Sequence, residues 1–234
     1  MLGLVAVGSM ADRDYAPDEW SDHDFFVITA HGMQEELRGD LSWLPSHARI
    51  ALSFRETEHG LKVIYDDGRM LEFAVFDLEE LIAFGGVNRY RTLLDRGGVD
   101  QAVVQAKAKP GRQDDDLHCF GMVVSAALVA GGRGRRGEVM SAAFLVTWGM
   151  TYLARLIQRH VPAENASILD NFDSLRRFER VYPELGAELA AICRQPPAEA
   201  GPALLDAMER ELRGACPELP WAGLEAVRTR FTSP

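Results

Sequence analysis

A β-hairpin is predicted by the stretch KVIYDDGRMLEFAVF, which spans residues 62–76. Apolar residues flank the central Asp66-Asp67-Gly68, and an Asp-Gly step supplies the positive φ angles of a tight primed turn. On the second strand, alternation places Glu72 on the face opposite Phe73. The hairpin therefore predicts a β-sheet with a charge in the middle of an apolar strand.

The segments around the hairpin extend this prediction to a two-part chain. Strands are expected at residues 4–7, 25–29 and 90–94, and a short helix at 77–84. After Lys109-Pro110-Gly111 the apolar residues recur at helical spacing. Helices are expected at residues 117–130, 138–160, 167–180, 184–194, 202–214 and 219–230. We therefore predict an α+β fold: a mixed β-sheet with flanking helices over 1–110, followed by an all-α helical bundle over 111–234.

Composition narrows the class of partner. The formal charge of −10 comes from 35 acidic and 25 basic residues, and an acidic surface repels nucleic acid but suits a cationic small molecule. The sequence has no uninterrupted apolar run of about 18 residues and no basic segment before its first apolar stretch, so we expect neither a membrane span nor a signal peptide. A cytoplasmic location follows as an expectation. Three cysteines without CxxC spacing indicate neither a disulfide framework nor a zinc site.

Two aspartates open the second predicted strand. Asp22 and Asp24 alternate along the chain, so their side chains share a face with Cα atoms roughly 6.5 to 7 Å apart. Magnesium typically takes one or two protein carboxylates together with phosphate oxygens. A lone pair of this kind is common by chance in a chain with 35 acidic residues, so its position at the mouth of an apolar strand is what favours a metal site over a solvated strand end.

Two further features complete the predicted site. Gly8 directly follows the first strand and lets the backbone approach a phosphate, while Ser9 can donate a hydrogen bond to it. Glu72 supplies a third carboxylate, because a charge in an apolar strand requires a partner such as a metal or a substrate hydroxyl. Asp77 is the rival for this role, but it stands where the helix at 77–84 needs a cap.

The order of these features resembles the DNA polymerase β-type nucleotidyltransferase superfamily. The resemblance rests on Gly8-Ser9, on Asp22-x-Asp24 opening an apolar strand, and on Glu72 in a later strand after an Asp-Gly turn. Within the superfamily, residues 8–24 are similar to antibiotic nucleotidyltransferases, notably the streptomycin adenylyltransferases and the lincosamide enzymes. The likeness in motifs covers about residues 1–100, and beyond them only the helical character agrees.

This resemblance implies Mg²⁺, ATP or another nucleoside triphosphate as substrate, and adenylylation of a hydroxyl on a small molecule such as an aminoglycoside or lincosamide antibiotic. Asp22 and Asp24 would hold the metal, Gly8 and Ser9 would hold the phosphate tail, and Glu72 would be a metal ligand or the base. The helical domain would form one wall of the acceptor cleft. A non-catalytic nucleotide-binding or antitoxin-like protein and a protein adenylyltransferase are the alternatives.

Two departures from the resemblance are visible in the sequence. Glu72 stands where many relatives have aspartate, which keeps the charge and extends its reach by one methylene. Relatives usually have a helix before the Gly-Ser strand, so an upstream segment or a trimmed domain is expected here.

Two weaker signals lie in the second half. Arg133, Arg135 and Arg136 stand among glycines, which indicates a mobile loop or a clamp for a triphosphate. Trp148 and Tyr152 are four residues apart on one helix face, a spacing typical of core packing and occasionally of a platform for an acceptor ring.

Overall fold

The strands of the first unit form one mixed sheet. The computed structural model describes residues 1–11, 21, 23–85, 87, 89–108, 114–163, 165–169 and 173–232. Within these ranges the strands are β1 (Gly3–Val7), β2 (His23–Ile28), β3 (Ile50–Arg55), β4 (Gly60–Tyr65), β5 (Met70–Phe76) and β6 (Tyr90–Asp95). Their order across the sheet is β3-β4-β5-β2-β1-β6. The central neighbours β2 and β5 run parallel, and the other neighbouring pairs run antiparallel.

Both faces of the sheet are covered by apolar side chains. The helices of this unit are α1 (Gln34–Gly39), α2 (Leu78–Phe84) and α3 (Val99–Ala108). On one face Ile28 packs in a cluster with Leu81 of α2 and Val103 of α3. On the other face Val27 packs in a cluster with Leu44. The alternation of β2 therefore sends successive residues into two separate cores, which makes this the buried central strand that its apolar sequence indicates.

The hairpin predicted at residues 62–76 is present, but its turn differs from the prediction. The amide of Gly68 donates to the carbonyl of Tyr65 over 2.9 Å, and the amide of Tyr65 donates to the carbonyl of Arg69 over 2.9 Å. Of the three turn residues, only Gly68 has a positive φ, at 83°. The tight primed turn with two positive φ angles was therefore wrong. A looser turn that ends in one left-handed glycine replaces it, which is the usual arrangement of a longer hairpin loop.

The second unit is helical. The chain divides into Met1–Gln113 and Asp114–Pro234, close to the boundary predicted after residue 110. The described helices of the second unit are α4 (Asp116–Arg135), α5 (Val139–His160), α6 (Phe178–Val181), α7 (Pro183–Ile192), α8 (Pro197–Leu212) and α9 (Trp221–Thr232). A mixed sheet with flanking helices followed by a helical region confirms the predicted α+β class.

The two longest helices are strongly apolar. By length and composition, α4 and α5 would each be able to cross a membrane, and core helices of soluble proteins meet the same criterion. About half of each helix is buried inside the protein, where Val123 of α4 and Leu153 of α5 belong to one apolar cluster. The expectation that the chain has no membrane span remains a prediction.

The predicted helix at 167–180 was wrong for most of its described residues, which are 167–169 and 173–180. In this described part of the chain, a 3-10 turn covers Ala166–Ile168, and regular helix begins at Phe178. Asp173 accepts a hydrogen bond from the amide of Leu175 over 2.9 Å, and Arg177 takes a left-handed φ of 64°. Short polar side chains that bond the nearby backbone compete with helix formation, and a left-handed residue interrupts a right-handed helix.

The glycine-rich segment of the second unit is also helical, so the predicted mobile loop was wrong. Helix α4 continues through the glycines to Arg135. A Cβ atom on Gly134 would lie 2.9 Å from the backbone nitrogen of Ala198 in α8. Arg136 pairs with Glu138 over 2.8 Å, and Arg135 donates to the carbonyl of Phe231. The glycines therefore allow close helix packing, and these arginines make contacts inside the helical unit.

Candidate metal and nucleotide site

Asp24 and Glu72 lie side by side on neighbouring strands. They are register partners in the parallel pairing of β2 with β5. Paired residues on neighbouring strands project from the same face, and the strands are about 4.8 Å apart. The structure therefore brings two of the predicted carboxylates together from positions 48 residues apart in the chain.

The two carboxylates stand at the edge of the apolar core. Phe26 and Ile28 follow Asp24 on its face of β2, and both belong to the cluster beneath α2 and α3. Ala74 follows Glu72 in the same way on β5. Asp24 is partly buried, and the side chain of Glu72 is 39% exposed. The acidic pair therefore faces solvent where the core ends, which is the position that a site open to a substrate requires.

Gly8 lies against Asp24. It begins a short 3-10 turn, Gly8–Met10, directly after β1. Its φ is +57°, and a Cβ atom built on it would lie 2.5 Å from Oδ2 of Asp24. The absence of a side chain at this position is what allows the carboxylate to approach the backbone so closely. The predicted phosphate turn and the predicted metal ligand are thus in direct contact.

Asp22 lies outside the described residues, and so does the side chain of Ser9. Among the residues that the structure does describe, no group of three or more His, Cys, Asp or Glu side chains is arranged to hold a metal. Asp24 and Glu72 offer hard carboxylate oxygens of the kind that magnesium takes with phosphate oxygens, so the donor chemistry fits, and the roles of Asp22 and Ser9 stay predictions.

The rival carboxylate Asp77 lies elsewhere. It follows the last residue of β5, whereas Glu72 is near the start of that strand, so the two are about 16 Å apart along the chain direction. Asp77 caps α2 by accepting from the amide of Glu80 over 2.7 Å, and it also contacts His31 over 2.7 Å and Gln34 over 2.6 Å. Burial raises the pKa of Asp77, but these hydrogen bonds outweigh it and lower the pKa below its ordinary value. Of the two candidates, only Glu72 is beside Asp24.

A lysine that the sequence analysis did not single out lies beside Glu72. Lys62 of β4 is the register partner of Glu72 in the antiparallel hairpin. Its Nζ lies 3.2 Å from Oε2 of Glu72 and 2.8 Å from Oε1 of Glu56. Hydrogen bonds to Glu56 and then to Glu72 raise the pKa of Lys62. Cross-strand pairing around the Asp-Gly turn is the sequence signal that indicates this neighbour.

An arginine side chain contacts the turn that follows β1. Arg91 of β6 donates from Nη2 to the carbonyl of Met10 over 3.1 Å. Its Nε is buried and has no hydrogen-bond partner within the described part of the chain. This contact ties the end of the Gly8–Met10 turn to an outer strand of the sheet.

In the helical unit, Trp148 is 40% exposed and contacts Tyr152 edge to face at 5.8 Å between ring centroids. Tyr152 makes a second edge contact with His118 at 5.8 Å. Because it is partly exposed, Trp148 is not a fully buried core residue. Whether this aromatic pair meets an acceptor stays a prediction.

The comparisons with known proteins find likenesses among solved structures. No family profile matches the chain, and no curated protein matches it. Among solved structures, it is similar to an aminoglycoside 6-adenyltransferase from Bacillus subtilis, with 12% identity, a TM-score of 0.41, and coverage of 98% of this chain and 90% of that chain. An identity and a TM-score this low do not support an assignment of activity.

Proposed function

We propose that this protein is a magnesium-dependent nucleotidyltransferase that moves a nucleoside monophosphate, AMP from ATP, onto a hydroxyl of a small molecule. The observation that supports this most is the in-register pair of Asp24 and Glu72, with the carboxylate of Asp24 against the backbone of Gly8. Two carboxylates beside a glycine turn offer neighbouring places for a divalent cation and a phosphate.

The chain's own residues would divide the work as follows. Asp24 and Glu72, together with Asp22, would hold a magnesium ion, which when bound would offset the charge of the triphosphate. The backbone at Gly8 would face the phosphate tail, and Ser9 would add a hydroxyl donor. The acceptor oxygen would bond to the α-phosphorus as the bond to pyrophosphate breaks. The hydroxyl proton would pass to a carboxylate, and Glu72 is the candidate for that base if it is not a metal ligand.

The acceptor class follows from charge and from the resemblance of residues 8–24 to antibiotic nucleotidyltransferases. A formal charge of −10 favours a cationic ligand such as an aminoglycoside, and a lincosamide is the second choice.

The test is an assay of product mass. Purified protein is incubated with ATP, Mg²⁺ and a panel of aminoglycosides and lincosamides, and each drug is examined for the mass of one added adenylyl group. Asp24→Asn and Glu72→Gln should each reduce product by about a hundredfold or more, because each removes a charge from the site. Asp66→Asn, at an exposed ion pair with Arg49 over 2.6 Å, is the matched control and should retain activity.

Other outcomes would assign the protein to another class. An adenylyl mass added to protein and not to the drug would make it a protein adenylyltransferase. Binding of Mg²⁺ and ATP without turnover on any acceptor would make it a non-catalytic nucleotide-binding protein. Full activity of the Asp24→Asn variant would show that this carboxylate is not part of the catalytic site.

A further inference from the structure

Lys62 stands between two carboxylates at the candidate site. Its ammonium contacts Glu56 over 2.8 Å on one side and Glu72 over 3.2 Å on the other. Its side chain is 24% exposed, whereas those of Glu56 and Glu72 are 40% and 39% exposed. Lys62 is therefore the most enclosed member of this row of alternating charges.

The strand order decides what Lys62 does to Glu72. Strand β5 lies between β4, which carries Lys62, and β2, which carries Asp24. Lys62 and Asp24 are both register partners of Glu72, on its two opposite sides. The lysine therefore holds one carboxylate oxygen of Glu72 from the side away from Asp24, and it offsets the repulsion between like charges on adjacent strands.

A glutamate needs such a restraint more than an aspartate does. Its side chain has one more rotatable bond, and an unrestrained carboxylate of this length occupies several rotamers. A catalytic or ligating carboxylate must be held close to its working position by neighbouring groups. The contact with Nζ of Lys62 supplies that restraint at Oε2.

We propose that Lys62 is a positioning residue of the nucleotidyl-transfer site, which holds the Glu72 carboxylate beside Asp24 in the orientation used for the metal–nucleotide complex. This inference rests on the proposed function. It assigns to Lys62 no contact with substrate, so its effect passes through Glu72. The competing interpretation is an ordinary surface ion pair, which would contribute to stability alone and only weakly.

The test compares four variants with the wild-type protein. Lys62→Met removes the ammonium and keeps the aliphatic length, Lys62→Arg keeps a cation, and Glu56→Gln removes only the outer partner. Arg69→Met is the matched control, because Arg69 forms an exposed ion pair with Asp67 over 2.9 Å at the turn of the same hairpin. Thermal melting, Mn²⁺ affinity by electron paramagnetic resonance in the presence of a non-hydrolysable ATP analogue, and kcat and KM for ATP are measured for each.

A positioning role predicts a specific pattern. Lys62→Met should lower Mn²⁺ affinity and kcat by about tenfold, with a smaller change in KM and a melting temperature close to wild type. The reason is that a displaced Glu72 carboxylate weakens metal binding and catalysis more than the loss of one ion pair weakens the fold. Lys62→Arg should recover most of both losses, and Glu56→Gln and Arg69→Met should stay within about twofold of wild type.

Two results would contradict the proposed role of Lys62, and only the second would also contradict the proposed function. If the wild-type protein binds Mn²⁺ and turns over ATP, and Lys62→Met matches it in both, then Lys62 is an ordinary ion-pair partner. If the wild-type protein neither binds the metal–nucleotide complex nor transfers a nucleotidyl group, the proposed function fails and the role of Lys62 fails with it.

Discussion

Oδ2 of Asp24 occupies the space in front of the Cα atom of Gly8, where a Cβ atom would approach it to 2.5 Å. Asp24 lies in β2, and Gly8 begins the 3-10 turn that directly follows β1, the antiparallel neighbour of β2. A side chain at position 8 and a carboxylate in this orientation at position 24 therefore exclude each other.

This contact predicts that Gly8→Ala impairs the site and the fold together. The added methyl group would displace the Asp24 carboxylate, and the left-handed φ of +57° would cost about 1 kcal/mol in a residue with a Cβ atom. Affinity for a Mg²⁺–ATP analogue, measured by calorimetry, should fall by about tenfold or more. Gly68→Ala is the control: Gly68 has φ +83° with open space around its Cβ position, so it should lose stability and keep nucleotide affinity.

The placement of Asp77 predicts a variant that changes stability and leaves chemistry alone. Asp77→Asn keeps an N-cap residue on α2 and removes the charge that contacts His31 and Gln34. Nucleotide affinity should stay within about twofold of wild type, because Asp77 lies about 16 Å from Glu72 along the direction of β5. Asp77→Ala, which also loses the capping box, should lower the free energy of unfolding by about 1 to 3 kcal/mol. A large loss of metal affinity in the Asp77→Asn variant would instead indicate Asp77 as the third carboxylate of the site.

The helical unit should show an acid-dependent contribution from Asp116. Burial raises the pKa of this carboxyl, but hydrogen bonds from Arg159 and His160 outweigh it, so the pKa in the folded protein lies below its ordinary value. A depressed pKa means that the stabilisation is present above the unfolded value and disappears as the pH falls through the folded value. The difference in unfolding free energy between wild type and Asp116→Asn, measured with denaturant, should be constant near neutral pH and shrink in acid. A difference that grows in acid would have the wrong sign.

Two glycines in α4 should respond in opposite directions to the same substitution. Gly134→Ala would place a Cβ atom 2.9 Å from the backbone of Ala198, and overpacking against backbone costs about 1 to 3 kcal/mol. Gly121 has nothing within 4 Å of its Cβ position, so Gly121→Ala should stabilise the protein by roughly 0.5 to 1 kcal/mol through helix propensity. Chemical denaturation measures both. Equal effects would contradict the close approach of α4 and α8.

The sequence predicted those strands and helices in which apolar residues recur at one clear spacing. The strands β1, β2 and β6, both strands of the hairpin and the long helices follow from alternation or from helical spacing. Strand β3 was missed although Ile50, Leu52 and Phe54 alternate with smaller or polar residues. Most residues of β3, including Leu52 and Phe54, are exposed, so this alternation does not mark a buried face. Helix α1 was missed because its six residues are mostly polar, which leaves little of the apolar spacing that identifies a helix.

The candidate site was predictable as a list of residue types and not as an arrangement. Alternation places Asp24 and Glu72 on defined faces of their own strands, but their contact depends on the parallel pairing of β2 and β5. That pairing joins strands separated by α1, β3 and β4, and short-range patterns do not determine such long-range register. The sequence alone could have predicted Lys62 as a neighbour of Glu72, since the hairpin turn fixes which residues of β4 and β5 face each other.

The central claim is that Asp24 and Glu72 hold a divalent cation together with a nucleoside triphosphate. The most direct measurement is a calorimetric titration of Mg²⁺ with a non-hydrolysable ATP analogue into wild type, Asp24→Asn, Glu72→Gln and the control Asp66→Asn, since it needs no knowledge of the acceptor. We expect wild type and Asp66→Asn to bind alike, and both site variants to bind at least about tenfold more weakly. Undiminished affinity in Asp24→Asn and Glu72→Gln, or no binding by the wild-type protein, would contradict the claim.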